Sequence, residues 1–347
     1  MKTSKTSKII EVCIWVCVLM SLISGMFYFT DGHNWIFYKN NRAKVSIELG
    51  NVKEVKRESE SINGIEEIKL KMLDADIKIE LVEGDIIEVI EYSNEADNNK
   101  VFKMIKNGET LQFVRKEDNI GEVFSFDTKS HRVEVKLPEK FDRELIIENT
   151  SGDVFVDDDL NLENLDLSTS SGNINLGKVE AESNIGATSG NIYVEKLEGD
   201  SHNVGATSGN INIEEEEGDI CLGTTSGNVF VKNMDGTSHC IGATSGDITL
   251  KDVNGDLEIG TTSGHINIDK LNGDNHNLSC TSGDISIGEG SGDFDITTTS
   301  GSVILGEISG SNHEIRTTSG DIDIKKGKGN FVTDTNSGDI HKGHIED

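Results

Sequence analysis

Four histidines recur at equal intervals in the carboxyl-terminal half of this 347-residue chain. His202, His239, His276 and His313 are separated from one another by 37 residues. Neutral imidazole is the commonest metal ligand among side chains, so a regular series of histidines suggests a ladder of metal sites. Whether two of them can share an ion depends on the distance that the fold places between them.

Two cysteines and three aromatic residues are spaced just as regularly. Cys221 and Cys240 lie 19 residues apart, and two cysteines at a suitable distance form a disulfide. Phe155, Tyr193 and Phe230 follow one another at intervals of 38 and 37 residues. Aromatic rings offer faces on which a sugar ring or a partner side chain can stack. What the residues of each pattern can form depends on the distances at which the repeat places them.

The repeat is marked by the dipeptide Ser-Gly, whose recurrences are separated, after the first interval, by 18 and 19 residues in alternation. A second series of glycines divides each unit into halves that read Gly, then usually Asp or Asn, then apolar-x-apolar, as in Gly190 to Val194. Such short alternation indicates β-strands, and Gly-Asp or Gly-Asn is typical of tight turns. The pattern predicts an all-β chain, a right-handed parallel β-solenoid with about 18–19 residues per coil. The eleven glycines of this periodic series are Gly152, Gly172, Gly190, Gly209, Gly227, Gly246, Gly264, Gly283, Gly301, Gly320 and Gly338.

Three apolar positions repeat in every unit and predict the core. One column runs from Val154 to Ile340, a second from Val156 to Ile324, and a third from Leu167 to Ile315. Stacked coils place equivalent residues about 4.8 Å apart, so these columns form a continuous apolar interior.

The same spacing decides between the candidate sites. Histidines two coils apart are about 9.6 Å apart, whereas zinc needs its nitrogens at about 2.0–2.1 Å, so we expect structural histidines at a widened turn. Cys221 and Cys240 fall in adjacent coils about 4.8 Å apart, which predicts that they can form a disulfide. Phe155, Tyr193 and Phe230 share one outward column in alternate coils and are the predicted ligand-binding residues. The alternative, strand-forming rings that pack only on their neighbours, stays open.

Other site chemistries fit the repeat poorly. Calcium-binding β-rolls need Gly-Gly-x-Gly-x-Asp loops, whereas this chain has one glycine per turn. An ice-binding face would need a second rank of threonines beside the column from Thr150 to Thr318, and mostly glycines stand there. The chain has no Gly-x-Ser-x-Gly, His-Glu-x-x-His or phosphate-binding loop. We therefore expect no enzyme, no catalytic residue, no metal site and no cofactor.

Charge excludes one class of partner. The chain carries 32 Lys and Arg against 62 Asp and Glu, a net charge of −30, and 35 of the acids but only 10 of the bases lie in residues 151–347. Nucleic acid is bound by basic surface, so we expect no nucleic-acid partner. The same charge opposes docking on anionic lipid headgroups.

The amino-terminal end predicts a membrane anchor. Lysines within residues 1–8 precede an apolar run at 9–30, which is long enough to cross a bilayer. The run is longer than the apolar region of a cleaved signal peptide and lacks a good cleavage site. We expect an uncleaved transmembrane signal anchor, a cytoplasmic amino terminus and residues 31–347 outside the cell, with 31–45 as a juxtamembrane segment.

Residues 46–150 are less regular but contain alternating strands at Ile77–Leu81, Leu111–Phe113 and Val133–Leu137. An uncapped solenoid end would expose its core and its strand edge. This region is therefore predicted to be a β-rich amino-terminal cap with the first coils, before the repeat domain at 151–347.

The junction between this cap and the repeat resembles the corresponding part of a known protein family. The segment Val133-Glu134-Val135-Lys136-Leu137-Pro138, followed by Thr150-Ser151-Gly152-Asp153-Val154 and the repeated Thr-Ser-Gly-Asp/Asn-Ile, is similar to the bacterial putative-adhesin family of β-strand-repeat envelope proteins. In members of this family the β-strand repeat follows one amino-terminal membrane helix, and the biochemical activity of most members is undefined. The resemblance implies a surface location, and its name implies adhesion.

Two functions of different classes follow. The first is a non-catalytic, adhesin-like module that binds a cell-envelope glycan or a surface protein through its long side faces. The second is a sensor or regulatory scaffold of the envelope-stress response that acts through protein partners, which the resemblance suggests because some relatives are tied to such responses.

Overall fold

The computed structural model describes residues 52–94, 101–115 and 131–346. The predicted anchor at 9–30 and the juxtamembrane segment at 31–45 lie outside the described residues. Among the residues that are described, no helix is long and apolar enough to span a membrane.

Every regular element of the described chain is a β-strand, and together they form a parallel β-solenoid of the right-handed type with about 11 turns. From β11 onward one long strand makes almost a whole coil and pairs in parallel with the next, as Ile211 does with Val229. The strands are β1 Lys53–Ser61, β2 Glu67–Asp74, β3 Asp76–Val82, β4 Ile86–Ser93, β5 Lys103–Asn107, β6 Thr110–Val114, β7 His131–Pro138, β8 Glu144–Ser151, β9 Val154–Val156, β10 Leu160–Ser171, β11 Ile174–Ser189, β12 Ile192–Ala206, β13 Ile211–Ser226, β14 Val229–Ser245, β15 Ile248–Ser263, β16 Ile266–Ser282, β17 Ile285–Ser300, β18 Val303–Ser319, β19 Ile322–Ser337 and β20 Ile340–Glu346.

The Ser-Gly turn closes each coil because only glycine fits there. At Gly246 the φ angle is +143°, and a Cβ would lie 1.9 Å from the carbonyl oxygen of Gly227 in the coil below. A side chain at this position would need a left-handed backbone and would also collide with the neighbouring turn. The repeated Ser-Gly is therefore a stacking requirement of the solenoid.

The three predicted core columns are confirmed. Ile211, Ile213 and Leu222 are all at most 3% exposed, and the equivalent residues of the neighbouring coils are buried with them. The prediction was wrong at Ile340, which is 40% exposed. Within the described residues, β20 pairs only with β19, so Ile340 has a coil on one side and none on the other.

The alternation of 18 and 19 residues is explained at the second turn of each coil. In the longer coil, the backbone N–H groups of Thr237 and Ser238 both donate to Asp219 Oδ1 of the coil before, at 2.8 and 3.0 Å. Asp256 repeats this with Asp274 and Asn275, both at 2.9 Å. One carboxylate thus accepts the extra N–H that the additional residue brings.

The amino-terminal cap stacks its strands out of chain order. The coil β2–β3 lies between β8–β9, which begin the repeat, and β6–β7, which come later in the sequence than β2–β3. Strand β4 pairs antiparallel with both β1 and β7, and β5 pairs antiparallel with β6. Antiparallel strands therefore replace a further coil at this end of the solenoid.

Candidate functional site

The three predicted aromatic residues stand in one straight outward column. Strand pairing aligns Phe155 with Asn175, Asn175 with Tyr193, Tyr193 with Asn212, and Asn212 with Phe230, with no register shift at this position. Each lies between two buried residues of its strand, so its side chain points to the outer surface. These five residues are called the aromatic strip below.

The aromatic strip is accessible and partly supported by its neighbours. Tyr193 is 39% exposed, and Phe155 and Phe230 are half-buried. Partial burial, followed by the charges of Glu214 and Glu195, raises the pKa of the Tyr193 phenol, so its hydroxyl stays protonated. The strip therefore presents rings together with a hydrogen-bond donor.

Two asparagines alternate with the rings. Asn175 and Asn212 are half-buried, and the Oδ1 atom of Asn212 is shielded from solvent with no hydrogen-bond partner in the described chain. Sequence reasoning passed over both residues, although their alternation with the rings could have been found by aligning the coils. An amide between two rings supplies donors and an acceptor.

The same outward column stays uncharged well beyond the rings. After Phe230 it continues with Thr249, Asn267, Ser286 and Ile304 before the first carboxylate, Asp323. On the cap side the neighbour of Phe155 is Lys78. The column that holds the rings is therefore uncharged from Phe155 to Ile304, although the chain has a net charge of −30.

A ladder of Asn and Asp side chains borders the aromatic strip at the Ser-Gly turn. Each accepts the backbone N–H of the equivalent residue in the next coil, as from Asn191 to Asn173, from Asn210 to Asn191 and from Asn228 to Asn210, at 2.9–3.0 Å. These bonds fix the turn beside the strip and hold the rings on a rigid edge.

The structure joins Cys221 and Cys240 by a disulfide with a Cα–Cα distance of 4.6 Å. The two residues are direct neighbours in β13 and β14, in an outward column that lies away from the rings. The third cysteine of the described residues, Cys280, is buried, and its thiol lies 3.3 Å from the carbonyl oxygen of Gly264. Cys280 therefore packs as a small core residue.

The four histidines lie inside the core and are at most 2% exposed. The Nε2 atom of His239 donates to the Asn254 carbonyl at 3.0 Å, and that of His276 donates to the Ser291 carbonyl at 2.9 Å. A carbonyl can only accept, so Nε2 carries the proton and Nδ1 does not. Burial lowers the pKa of all four rings, so they stay neutral.

One buried carboxyl lies beside this histidine series and was missed by sequence reasoning. Glu216 is 1% exposed and occupies a core column in which its neighbours are Leu197 and Met234. Burial raises its pKa to about 8. The signal that could have found it is its place as the one charged residue in this apolar column between Val179 and Ile308.

The described residues contain no group of three or more His, Cys, Asp or Glu side chains arranged to hold a metal ion. A cleft at the junction of cap and repeat is lined by Leu81, Leu137, Phe141 and Asp158. Asp158 Oδ2 accepts the backbone N–H of Leu81 at 2.8 Å, and Leu137 and Phe141 are buried. These contacts make the cleft a joint between the two regions.

The fold defines a Thr-Ser-Gly repeat protein built as a parallel β-solenoid. The chain belongs to the Toastrack DUF4097 family, whose model matches residues 65–256 and 243–341. This agrees with the resemblance to the putative-adhesin group found from the sequence. A search of curated proteins found no match.

Solved structures from several bacteria are similar at low identity. A putative cell adhesion protein from Clostridium sporogenes is 15% identical, with 62% of this chain and 99% of that one covered and a TM-score of 0.27. A putative adhesin from Bacteroides fragilis is 14% identical, with 84% and 95% covered and a TM-score of 0.28. A putative lipid binding protein from Parabacteroides distasonis is 16% identical, with 86% and 96% covered and a TM-score of 0.22.

Proposed function

We propose that this protein is a non-catalytic, adhesin-like binding module presented at the cell surface. The observation that carries the proposal is the aromatic strip, in which three outward rings alternate with two amides on a rigid solenoid face. Exposed aromatic side chains combine a large apolar area with little conformational freedom, which suits them to binding. The partner would be a cell-envelope glycan or a surface protein.

The position of the titratable groups supports a role without catalysis. Glu216 has a pKa shifted into the range of a general acid or base, and the four core histidines also have shifted pKa values. All five are buried at the centre of the solenoid, where no substrate can reach them. Their pKa shifts therefore arise from packing.

The proposal includes the membrane anchor at residues 9–30, with residues 1–8 in the cytoplasm and 31–347 outside. The chain would also contact its own membrane through this anchor. Protease added to intact cells after removal of the wall should degrade the solenoid and leave a short amino-terminal fragment. A solenoid that resists protease until the membrane is permeabilised would overturn this orientation.

Binding can be tested with the full-length chain purified in a mild detergent. We expect it to cosediment with isolated cell-envelope material, and the triple variant Phe155→Ala, Tyr193→Ala, Phe230→Ala to lose most of this binding. A matched control, Asn184→Ala, Asn203→Ala, Glu258→Ala, removes three outward side chains of a different column and should bind as the native chain does.

Two outcomes would contradict the binding proposal. Equal binding by the native chain and the aromatic triple variant would remove the rings from the function. Absence of any binding, together with altered stress-gene transcription after deletion of the gene, would replace it with the envelope-stress sensor or scaffold.

A further inference from the structure

We infer that the aromatic strip binds an uncharged, β-1,4-linked polysaccharide that lies along the axis of the solenoid. This inference rests on the proposed binding function and names its ligand class. Three independent features of the strip lead to it: the spacing of the rings, the amides between them, and the charge around them.

The spacing of the rings matches the period of such a glycan. Phe155, Tyr193 and Phe230 occur in alternate coils, so neighbouring rings are about 9.6 Å apart along the axis. In an extended β-1,4-linked chain each sugar is flipped relative to the last, so the same sugar face returns every second residue over a similar length. Each ring would therefore meet an equivalent sugar face.

The straightness of the column is required for this fit. The register shifts of these coils fall at the second turn, as between Glu198 and Ser201, and not at the aromatic strip. The rings are consequently held in one line by backbone pairing. A linear glycan can lie across all three rings without bending, whereas a helical α-linked chain cannot.

The amides lie where the intervening sugars would be. Asn175 and Asn212 separate the rings, and an amide can bond to both the hydroxyl groups and the N-acetyl groups of a sugar. Asn175 and Asn212 are both partly exposed, so their amides are within reach of a ligand on the strip, whereas the Oδ1 atom of Asn212 is shielded from solvent. The protonated Tyr193 hydroxyl can donate to a ring or glycosidic oxygen.

Charge selects against anionic polymers. Lys78 and Asp323 bound the uncharged column, and Glu195 and Glu214 lie near the Tyr193 ring. Residues 151–347 contain 35 acidic and 10 basic residues, so the net field of the repeat repels polyanions such as teichoic acids, although Lys232, which pairs with Glu214, lies two residues after Phe230. A ligand without charge avoids this repulsion, and its binding should depend little on salt.

The test measures binding of full-length protein in detergent to fully N-acetylated chito-oligosaccharides of two to six sugars by isothermal titration calorimetry. One sugar per coil step predicts that affinity rises with length until about five sugars span Phe155 to Phe230, and then levels off. Tyr193→Ala should weaken binding of the longest oligosaccharide about tenfold, whereas Tyr193→Phe should keep most of it. An α-1,4-linked maltohexaose of similar size is the ligand control.

The outcomes separate this inference from the proposed function. Loss of envelope binding in the aromatic triple variant, with no affinity for chito-oligosaccharides or cello-oligosaccharides, would refute the ligand class and leave the binding module intact. Affinity that is independent of oligosaccharide length, or equal for maltohexaose, would refute the axial fit. Preferential binding of teichoic acid would refute the charge argument.

Discussion

The carboxyl group of Glu216 faces the imidazole of His239 inside the solenoid, with Oε2 3.8 Å from Nδ1. Nδ1 is the unprotonated ring nitrogen, because Nε2 donates to the Asn254 carbonyl. The separation would suit an ion pair, but burial raises the pKa of Glu216 to about 8 and lowers that of His239. A neutral carboxylic acid therefore faces a neutral imidazole, because neither charge is favourable in this interior.

Replacing Glu216 by valine should stabilise the protein at neutral and alkaline pH. The pKa of this carboxyl is about 8 in the folded protein, against an ordinary value of 4.5. The free energy of unfolding therefore falls as pH rises between those two values. Valine occupies the same column at Val253, so it fits the space. We expect a gain on the order of 3 kcal/mol at pH 7, measured as a higher melting temperature by circular dichroism.

The pH profile provides the control for this prediction. The free energy of unfolding of the native chain, taken relative to that of Glu216→Val, should fall as pH rises from 4.5 to 8. Both should still lose stability below pH 6.5, because the histidines have lowered pKa values and must be charged in acid. Glu215→Gln, at an exposed neighbour, should keep the native profile, and the prediction fails if it matches Glu216→Val.

Gly290 and Phe294 are matched in size within one coil. A Cβ on Gly290 would lie 2.6 Å from Phe294 Cζ and 3.0 Å from Ile308 Cδ1. Gly290→Ala should therefore destabilise the protein by about 1–3 kcal/mol through overpacking, seen as a lower melting temperature. The coil with Val253 and Leu257 fills the same two positions differently, so Gly290→Val combined with Phe294→Leu should recover most of the loss. A double variant no more stable than Gly290→Ala would disprove this size matching.

Lys342 closes the carboxyl-terminal end of the described core. It follows Ile324 in a core column, and its Nζ donates to the Phe331 carbonyl at 3.1 Å. A charge at this place discourages the open strand edge from pairing with another molecule. Lys342→Ile should cause end-to-end association, detected by sedimentation velocity. Lys325→Ile makes the same chemical change at an outward position, and association of that variant alone would reject the prediction.

The disulfide is predicted to support a coil pair that folds without it. Replacing Cys221 and Cys240 by serine should cost about 3 kcal/mol, from the chain entropy of a loop of this length. The fold should persist, because Asn203 and Glu258 stand unbridged in the same column. Peptide mapping without reduction should recover the linked pair from native protein. Recovery of Cys221 and Cys240 as free thiols from protein that has not been reduced would refute the bridge.

A change at the buried thiol should have little effect and serves as the comparison for the disulfide variant. Cys280 is aligned with Thr298, whose hydroxyl donates to the Gly283 carbonyl in the way that the thiol approaches Gly264. Cys280→Thr should therefore melt close to the native temperature. A loss as large as that of the disulfide variant would show that the melting temperature does not report the bridge.

Much of the repeat could be predicted from the sequence because each coil pairs with the coil one repeat unit later. Equal positions of successive units become direct neighbours, so the burial of Ile211 and Leu222 and the alignment of Phe155 with Tyr193 followed from counting residues. Ile340 was misplaced because the count describes a coil with neighbours on both sides. Its exposure depends on where stacking stops.

By itself the sequence determined the solenoid, its core columns, its outward aromatic column and its acidic surface, since each is a property of one repeat unit copied along the axis. Tertiary structure alone decided the order of stacking in the cap, where β2–β3 lies between strands that come later in the chain. It also decided that Glu216 faces His239 and that Lys342 donates to the Phe331 carbonyl. The residues in these contacts do not stand at equivalent positions of the repeat, so only the folded chain brings them together.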